Sequence, residues 1–429
     1  MSQVRDLFFD EFYDELERVT RDLEADQEEP GTPPALQDTL LKHWTPHEAD
    51  TDDRPHALIS VDGGVQQSRY AYGGFIAVAR ALAITHTPGQ QPSLTKTVKI
   101  NVKDTYDNRD RGFIPGYARI IAEYDAAAQA ARKALDRGLR PLVLLDGSLY
   151  IARFPYAIRE YRHHPVLLRD FFTSLADLRR LAYENGFPLA AVSKDSTVFY
   201  LHMHLLRRAL HDAGLSRTAT LLRDAPTPLD LGIRMEAWDA ADREALKPFL
   251  DARPLCDTHL VDVCAPTEGY TRPLLLAPSI YYGRENAPAL YTRIRRTLPA
   301  ETAESIITSI STFFQCPGVA TTYWKPTSDA RPFRVDLAAH SLGHNEPWIN
   351  QAGNRFHEGE AGPLENVLNH LLHWYCNDVE YNLPLKQTDT LARFDRNLYT
   401  SRYEPFIVRR LEEAGLDIRG TRRSLREID

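Results

Sequence analysis

Two apolar runs that each end in Asp-Gly constrain this chain more than any other feature. ALISVDGG occupies Ala57–Gly64 and RPLVLLDGSL occupies Arg140–Leu149. Both are short enough, and apolar enough, to be strands buried on both faces. Each predicts an aspartate where its strand gives way to a turn. An acid there has its backbone fixed by the sheet, and the glycine beside it lets a metal ion or a phosphate come close. Asp-Gly after a strand is also an ordinary turn, so the surrounding element order has to say what the two runs are for.

Tyr70–Ile84 is a second apolar stretch, and TKTVKINV (Thr95–Val102) alternates as a third strand. Gly116–Leu135 reads as a helix, with Ile120, Tyr124, Ala127, Ala128, Ala131 and Leu135 along one face. The strand at Arg140–Leu149 follows, and helical patterns bracket another buried strand at Phe187–Ser196. Strand, strand, strand, helix, strand, helix, strand is not the alternation of a doubly wound nucleotide-binding fold. It is the order of an RNase H-like α/β core, a mixed β-sheet flanked by helices. Further strands are predicted at His259–Cys264, Pro273–Tyr282, Thr321–Lys325 and Pro332–Leu337, and closing helices at Leu364–Tyr375 and Thr388–Ala414.

Ahead of this core, residues 1–27 read as an amphipathic helix through Phe8, Phe12, Leu16, Val19 and Leu23, and EEPGTPP (Glu28–Pro34) breaks it. Such a helix either packs back on its own domain or dimer mate, or serves as an arm for a partner. The expected division is a helix and Pro-rich linker over 1–50, a catalytic domain over 51–385, and a helical extension over 386–429.

Hydrophobic residues make up 43% of the 429 residues and charged residues 26%, the proportions of a globular protein. No apolar run approaches the roughly 20 residues of a membrane helix. The acid-rich first residues do not resemble a secretory signal, so a cytoplasmic address is expected. Four scattered cysteines, none in a CxxC pair, disfavour both a disulfide framework and a zinc ribbon. The net charge of −8 argues against a nucleic-acid binder that relies on diffuse attraction, and leaves open an enzyme with a local basic channel.

Asp62 and Asp146, on neighbouring strands, could hold Mg²⁺ or Mn²⁺ ions about 4 Å apart for in-line attack on a phosphodiester. Hard oxygen ligands suit those ions, and the lack of Cys/His clusters points away from zinc.

VDGG (Val61–Gly64), LLDGSL (Leu144–Leu149) and VSKDS (Val192–Ser196) together resemble the serial motifs of the NurA nuclease family, over about residues 55–380. The resemblance implies an RNase H-like, manganese-dependent, homodimeric DNA nuclease of single-strand endo- and 5′–3′ exonuclease type. It also implies work with the hexameric ATPase HerA in DNA end resection. The chain has no P-loop, so such a motor would be a separate chain.

Several further residues follow from the resemblance. The family's helical glutamate matches Glu123, with Asp125 as the alternative. The two fall about 160° apart on a helical wheel, so both cannot serve one metal. Lys194 matches the SK motif and is expected to neutralise the scissile phosphate or position water. Tyr323, in TTYWKPTSDARPFRVDL, matches a tyrosine lining the site, and a buried core tyrosine is the competing explanation. His370 matches a late histidine that could bind metal or shuttle a proton, with His340 as the alternative. For DNA contact, RYAYGGF with Arg69, Tyr70 and Tyr72, and ARFPYAIREYRHH with Arg159 and Arg162, interleave cations with aromatic rings. Two other classes stay in view: an actin- or hexokinase-like phosphotransferase, whose threonine-rich phosphate loops DGGVQQS and DGSLYIA lack, and a catalytically silent scaffold for the translocase.

Overall fold

A computed structural model describes residues 9–25, 33–47, 57–70, 74–104, 108–151, 154–155, 163–222, 231, 235–236, 238–249, 255–278 and 287–416. The chain divides into two compact units, Met1–Lys42 with Val198–Leu260, and His43–Thr197 with Val261–Asp429.

The first unit is helical. It contains α1 (Phe9–Ala25), α2 (Pro34–Leu41), α5 (Tyr200–Asp212), α6 (Ser216–Leu221) and α7 (Ala240–Leu246). α2 packs on α5 through Leu36 and Leu40, which are buried. The amphipathic pattern of α1 is present, yet Phe9, Phe12, Leu16 and Leu23 are 58%, 60%, 47% and 62% exposed, so its apolar face is not covered by the described residues. Residues 1–8 lie outside the described residues. The expected boundary at residue 50 needs correction: residues 198–260 join the N-terminal segment, because α5 supplies the surface that α2 covers.

The second unit is built on one mixed sheet. Its strands are β1 (Trp44–Thr45), β2 (Ala57–Arg69), β3 (Gly74–His86), β4 (Ser93–Asp104), β5 (Pro141–Asp146), β6 (Leu189–Ser193), β7 (Gly269–Thr271), β8 (Leu274–Leu276), β9 (Val319–Lys325), β10 (Phe333–Ala338) and β11 (Arg355–Phe356). The main path runs β1-β7-β9-β10-β6-β5-β2-β3-β4, with β8 on β9 and β11 on β8. β2, β5 and β6 are mutually parallel, while β3, β4, β10 and β9 run antiparallel to their neighbours. The predicted sequence of three strands, helix, strand, helix, strand is therefore present as β2-β3-β4-α3-β5-α4-β6, where α3 is Asn108–Asp136 and α4 is Pro165–Asn185.

One face of the sheet is covered by α3, α4 and α10 (Ala300–Gln315). Small residues let α3 approach closely: Ala126, Ala127, Ala130 and Ala131 on the helix meet Ala77, Ala81 and Ala83 on β3. α4 opens with Pro165 in its first turn and stops at Gly186, whose φ of 63° closes the helix. The opposite face is covered by α11 (Gly362–His373) through Leu364, Val367, Leu368 and Leu371, and by α12 (Leu383–Ala392) through Leu385.

Four expectations are corrected. Asp62-Gly63-Gly64 is not a turn: β2 continues to Arg69, paired residue by residue with β3. His259–Cys264 is helical, within α8 (Asp257–Cys264). Leu260 and Cys264, one helical turn apart, are buried, and Val263 is exposed. The closing helix predicted over Thr388–Ala414 is broken at 393–395, just after α12, where Phe394 turns inward and the Arg80 guanidinium stacks on its ring at 4.5 Å; helical turns resume at Arg396 and run through the π-helical Tyr399–Tyr403 into α13 (Glu404–Glu413). Finally, the segment after 386 belongs to the main body, since Thr388 hydrogen-bonds Ser60 of β2 at 2.7 Å. Residues 417–429 lie outside the described residues. None of the four cysteines is in a disulfide; Cys264 and Cys316 are buried, Cys256 is half-buried and Cys376 is exposed. Among the described residues no helix is long and apolar enough to cross a membrane.

Candidate active site

The parallel pairing of β2 with β5 brings the two Asp-Gly aspartates together. Its last pair is Val61 with Leu145, so Asp62 and Asp146 follow side by side one residue later. Alternation sends both to the face covered by α11 and α12, because Leu58, Leu142 and Leu144, at even spacing before them, pack in that core.

Glu123 comes from α3 on the other face. It reaches the pair at Gly63, where a β-carbon would stand 2.9 Å from Glu123 Oε1 and 3.0 Å from its Cγ. The absent side chain leaves the space that the glutamate fills. Asp125, two residues on, instead pairs with Lys99 of β4 at 2.7 Å.

Asp62 and Glu123 are poorly compensated. Asp62 is 8% exposed and Glu123 is 7% exposed. Burial, and then the charge of Asp146, pushes the Asp62 carboxyl up to about 7, although the Gly63 N–H donates to it at 2.7 Å. Burial pushes Glu123 up to about 8, with Asp62 and Asp146 adding to the rise and Arg119 opposing it. Arg119 Nε lies 3.5 Å from Glu123 Oε1 and is itself half in solvent, and among the described residues that oxygen accepts no hydrogen bond. Lys194, just past β6, donates from Nζ to Asp146 Oδ2 at 3.0 Å. Its Nζ also sits 4.2 Å from the ring centroid of Tyr381, whose phenol is raised by burial and then by the charge of Asp146. Asp389 on α12 is near enough to add to the rise at Asp62.

Hard oxygen donors and a buried carboxylate oxygen with no hydrogen bond among the described residues fit a divalent cation. Among the described residues no three or more His, Cys, Asp or Glu side chains are already drawn together around one point. Lys194 is the cation that partners Asp146.

Tyr323 is fully buried in β9, opposite Arg334 of β10 and three strands away from β5. Its parity places it with Val319, on the α3 side of the sheet and away from Asp62 and Asp146. His370 is half-buried near the end of α11, and His340 hands its Nε2 to the Phe187 carbonyl at 3.0 Å, with burial lowering its imidazole. Arg69 is exposed at the end of β2. Tyr70 is engaged by the C-terminal segment: its hydroxyl donates to Glu404 at 3.0 Å, and its ring packs beside Phe394 and Tyr399. Tyr72, Arg159 and Arg162 lie outside the described residues.

Tyr381, Asp389 and Arg119 were missed. Arg119 was detectable, being one helical turn before Glu123. Tyr381 lies in an irregular link between two helices and Asp389 on a helix face, where no periodicity marks them.

No protein-family model and no curated protein matches the sequence. Among solved structures, the NurA nuclease from Sulfolobus solfataricus aligns with a TM-score of 0.50 at 11% identity, over 96% of this chain and 98% of that one. A NurA bound to dAMP and manganese aligns with a TM-score of 0.42 at 14% identity, over 93% and 96%. Endonuclease V from Ciona intestinalis, in complex with DNA, aligns with a TM-score of 0.28 at 10% identity, over 88% and 97%. The alignment with the Sulfolobus solfataricus structure shows that the chain has a NurA-like fold.

Proposed function

We propose that this chain is a divalent-metal-dependent DNA nuclease that hydrolyses phosphodiesters at Asp62, Glu123 and Asp146. The observation that carries the reading is the arrangement of these acids. Asp62 and Asp146 stand side by side on neighbouring strands, a helix brings a third carboxylate up to the gap at Gly63, and burial with like charges raises both Asp62 and Glu123.

In this reading Asp62 and Asp146 hold manganese or magnesium from the sheet and Glu123 closes the site from α3. The bound ions would activate the attacking water and stabilise the leaving oxygen. Lys194 is placed to turn from Asp146 towards the non-bridging oxygens of the scissile phosphate. Tyr381 walls the site beside Asp146 and keeps the Lys194 ammonium over its ring. Arg69, at the exposed end of β2, contacts the phosphate backbone, and His370 assists proton transfer.

The motif resemblance to NurA supports the finer parts: a homodimer in the cytoplasm, endo- and 5′–3′ exonuclease action on single strands, and DNA end resection with a HerA-type hexameric translocase. A net charge of −8 suits a substrate delivered by a motor better than one captured by long-range attraction. The test is manganese-dependent degradation of linear DNA by the wild type and by the Asp62→Ala/Asp146→Ala pair. Nicking that persists equally in the pair would refute the proposal.

A further inference from the structure

The turn that carries the chain away from Asp146 is anchored by a buried ion pair on the far side of the sheet. Arg334 and Asp336 on β10 are 3% and 0% exposed. Arg334 donates from Nε to Asp336 Oδ1 at 2.9 Å and from Nη2 to Oδ2 at 2.8 Å. That same Oδ2 accepts the Ser148 hydroxyl at 2.7 Å, the Leu149 N–H at 3.0 Å and the Tyr150 N–H at 3.2 Å.

The sheet register explains the reach. Leu145, Ala191 and Asp336 form one row across β5, β6 and β10. Ala191 is the only side chain in that row between the carboxylate and the end of β5, and it is too small to block the way. The rest of the turn is closed as well. Gly147, at φ 123°, donates its N–H to the Val192 carbonyl at 2.9 Å, and its own carbonyl accepts the Ser193 hydroxyl. The Leu149 carbonyl accepts Arg179 Nη2 at 3.2 Å, and that buried guanidinium lies over both the Phe313 and Trp348 rings, 4.7 and 4.9 Å from their centroids.

A buried ion pair is seldom a net source of stability. Here its carboxylate serves the turn, through bonds from three successive residues. We propose that Asp336 is the positioning residue for Asp146: it locks Ser148–Tyr150 so that the preceding aspartate is held in a geometry fit to bind a cation and act. The proposal rests on the nuclease reading of Asp146. Ligands held from behind by hydrogen bonds bind metal more tightly, and loss of such support costs about 10–100-fold.

The test compares the full-length wild type with Asp336→Asn and with the charge-balanced Arg334→Met/Asp336→Asn pair, which leaves no lone guanidinium in the core. Ser148→Ala serves as a third, milder variant should the first fail to fold. Hydrogen exchange is read at the amides of Leu149 and Tyr150, and kcat and KM are measured for manganese-dependent DNA cleavage. The expected result is about 10-fold faster exchange at those two amides, with β6 and β9 still protected. With it, kcat should fall about 10–100-fold while KM for DNA stays within about 2-fold. Wild-type exchange at both amides would overturn the proposal. So would an unchanged kcat with the turn loosened, or a fall in kcat that comes only with general loss of sheet protection. A wild type that never cleaves DNA would sink the nuclease reading, and the anchoring of the turn would then be decided by exchange alone.

Discussion

Glu123 stands where a side chain at position 63 would begin. A β-carbon on Gly63 would lie 2.9 Å from its Oε1, and 2.9 Å from the Arg80 carbonyl oxygen on the neighbouring strand. Gly63 is thus required by space and not by backbone conformation, since it sits in paired strand between Asp62 and Gly64.

Gly63→Ala should therefore displace the glutamate. The expected outcome is a loss of cleavage of about 10–100-fold, the scale of a disturbed metal ligand, with about 1–3 kcal/mol of overpacking cost. Gly116→Ala is the control on the same helix: a β-carbon there meets nothing within 4 Å. It should raise stability by about 0.5–1 kcal/mol and leave activity alone. Denaturant unfolding and nuclease assays on both variants check this.

The acid cluster makes the metal-free protein sensitive to alkali. Asp62 is raised from 3.8 to about 7 and Glu123 from 4.5 to about 8. Folding holds these protons that the unfolded chain releases, so the stability tied to them is whole below about pH 4 and is lost as pH rises through 7 and 8. Between pH 6 and pH 8.5 the loss should be on the order of 4 kcal/mol. Asp62→Asn should flatten the slope, and added manganese should stabilise the wild type more at pH 8.5 than at pH 6. Tm measured against pH, with and without the ion, decides it. A wild type no less stable at pH 8.5 than its Asp62→Asn variant would contradict the cluster.

Lys194→Met removes the cation 3.0 Å from Asp146. If Lys194 acts on the phosphate, single-turnover cleavage should fall about 10²–10³-fold, the scale of a lost electrostatic contact to the transition state. Manganese binding should strengthen or stay the same, because the ammonium no longer competes for Asp146. Weaker manganese binding would show that the lysine organises the acids instead.

Two tyrosines separate the structural reading from the motif match. Tyr381→Phe keeps its stacking on Phe333, with ring centroids 5.7 Å apart, and loses the hydroxyl beside Asp146. Its cleavage rate should drop about 10-fold or more, as for a group aligned with the acids. Tyr323→Phe, on the far face of the sheet, should leave the rate unchanged and at most lower stability by about 1–2 kcal/mol through its buried hydroxyl. The reverse pattern would restore Tyr323 to the site.

Much of the fold was legible because strand and helix periods are local. The order β2-β3-β4-α3-β5-α4-β6 could be read from apolar runs and turns alone. Asp62 and Asp146 were legible as chemistry because both stand at the end of an apolar run, although the DGG at 62–64 turned out to be mid-strand. A strand that passes from full burial to half-burial on both faces stops looking apolar while it continues to pair, which is why DGG reads as a turn. The helix at Asp257–Cys264 was misread for a related reason: a run of eight residues is too short to separate the two periods.

The sequence by itself determined the order of elements, the two strand-borne aspartates, the glutamate as a candidate and the Lys194 motif, since each is carried by near neighbours along the chain. Only the tertiary structure decided that Glu123 and not Asp125 faces the aspartates, that Tyr381 stands beside Asp146 while Tyr323 lies behind the sheet, and that Asp336 holds the turn after Asp146 across two strands. These relations join residues tens to hundreds of positions apart. They depend on sheet register and on which face a side chain leaves, and no local pattern encodes either.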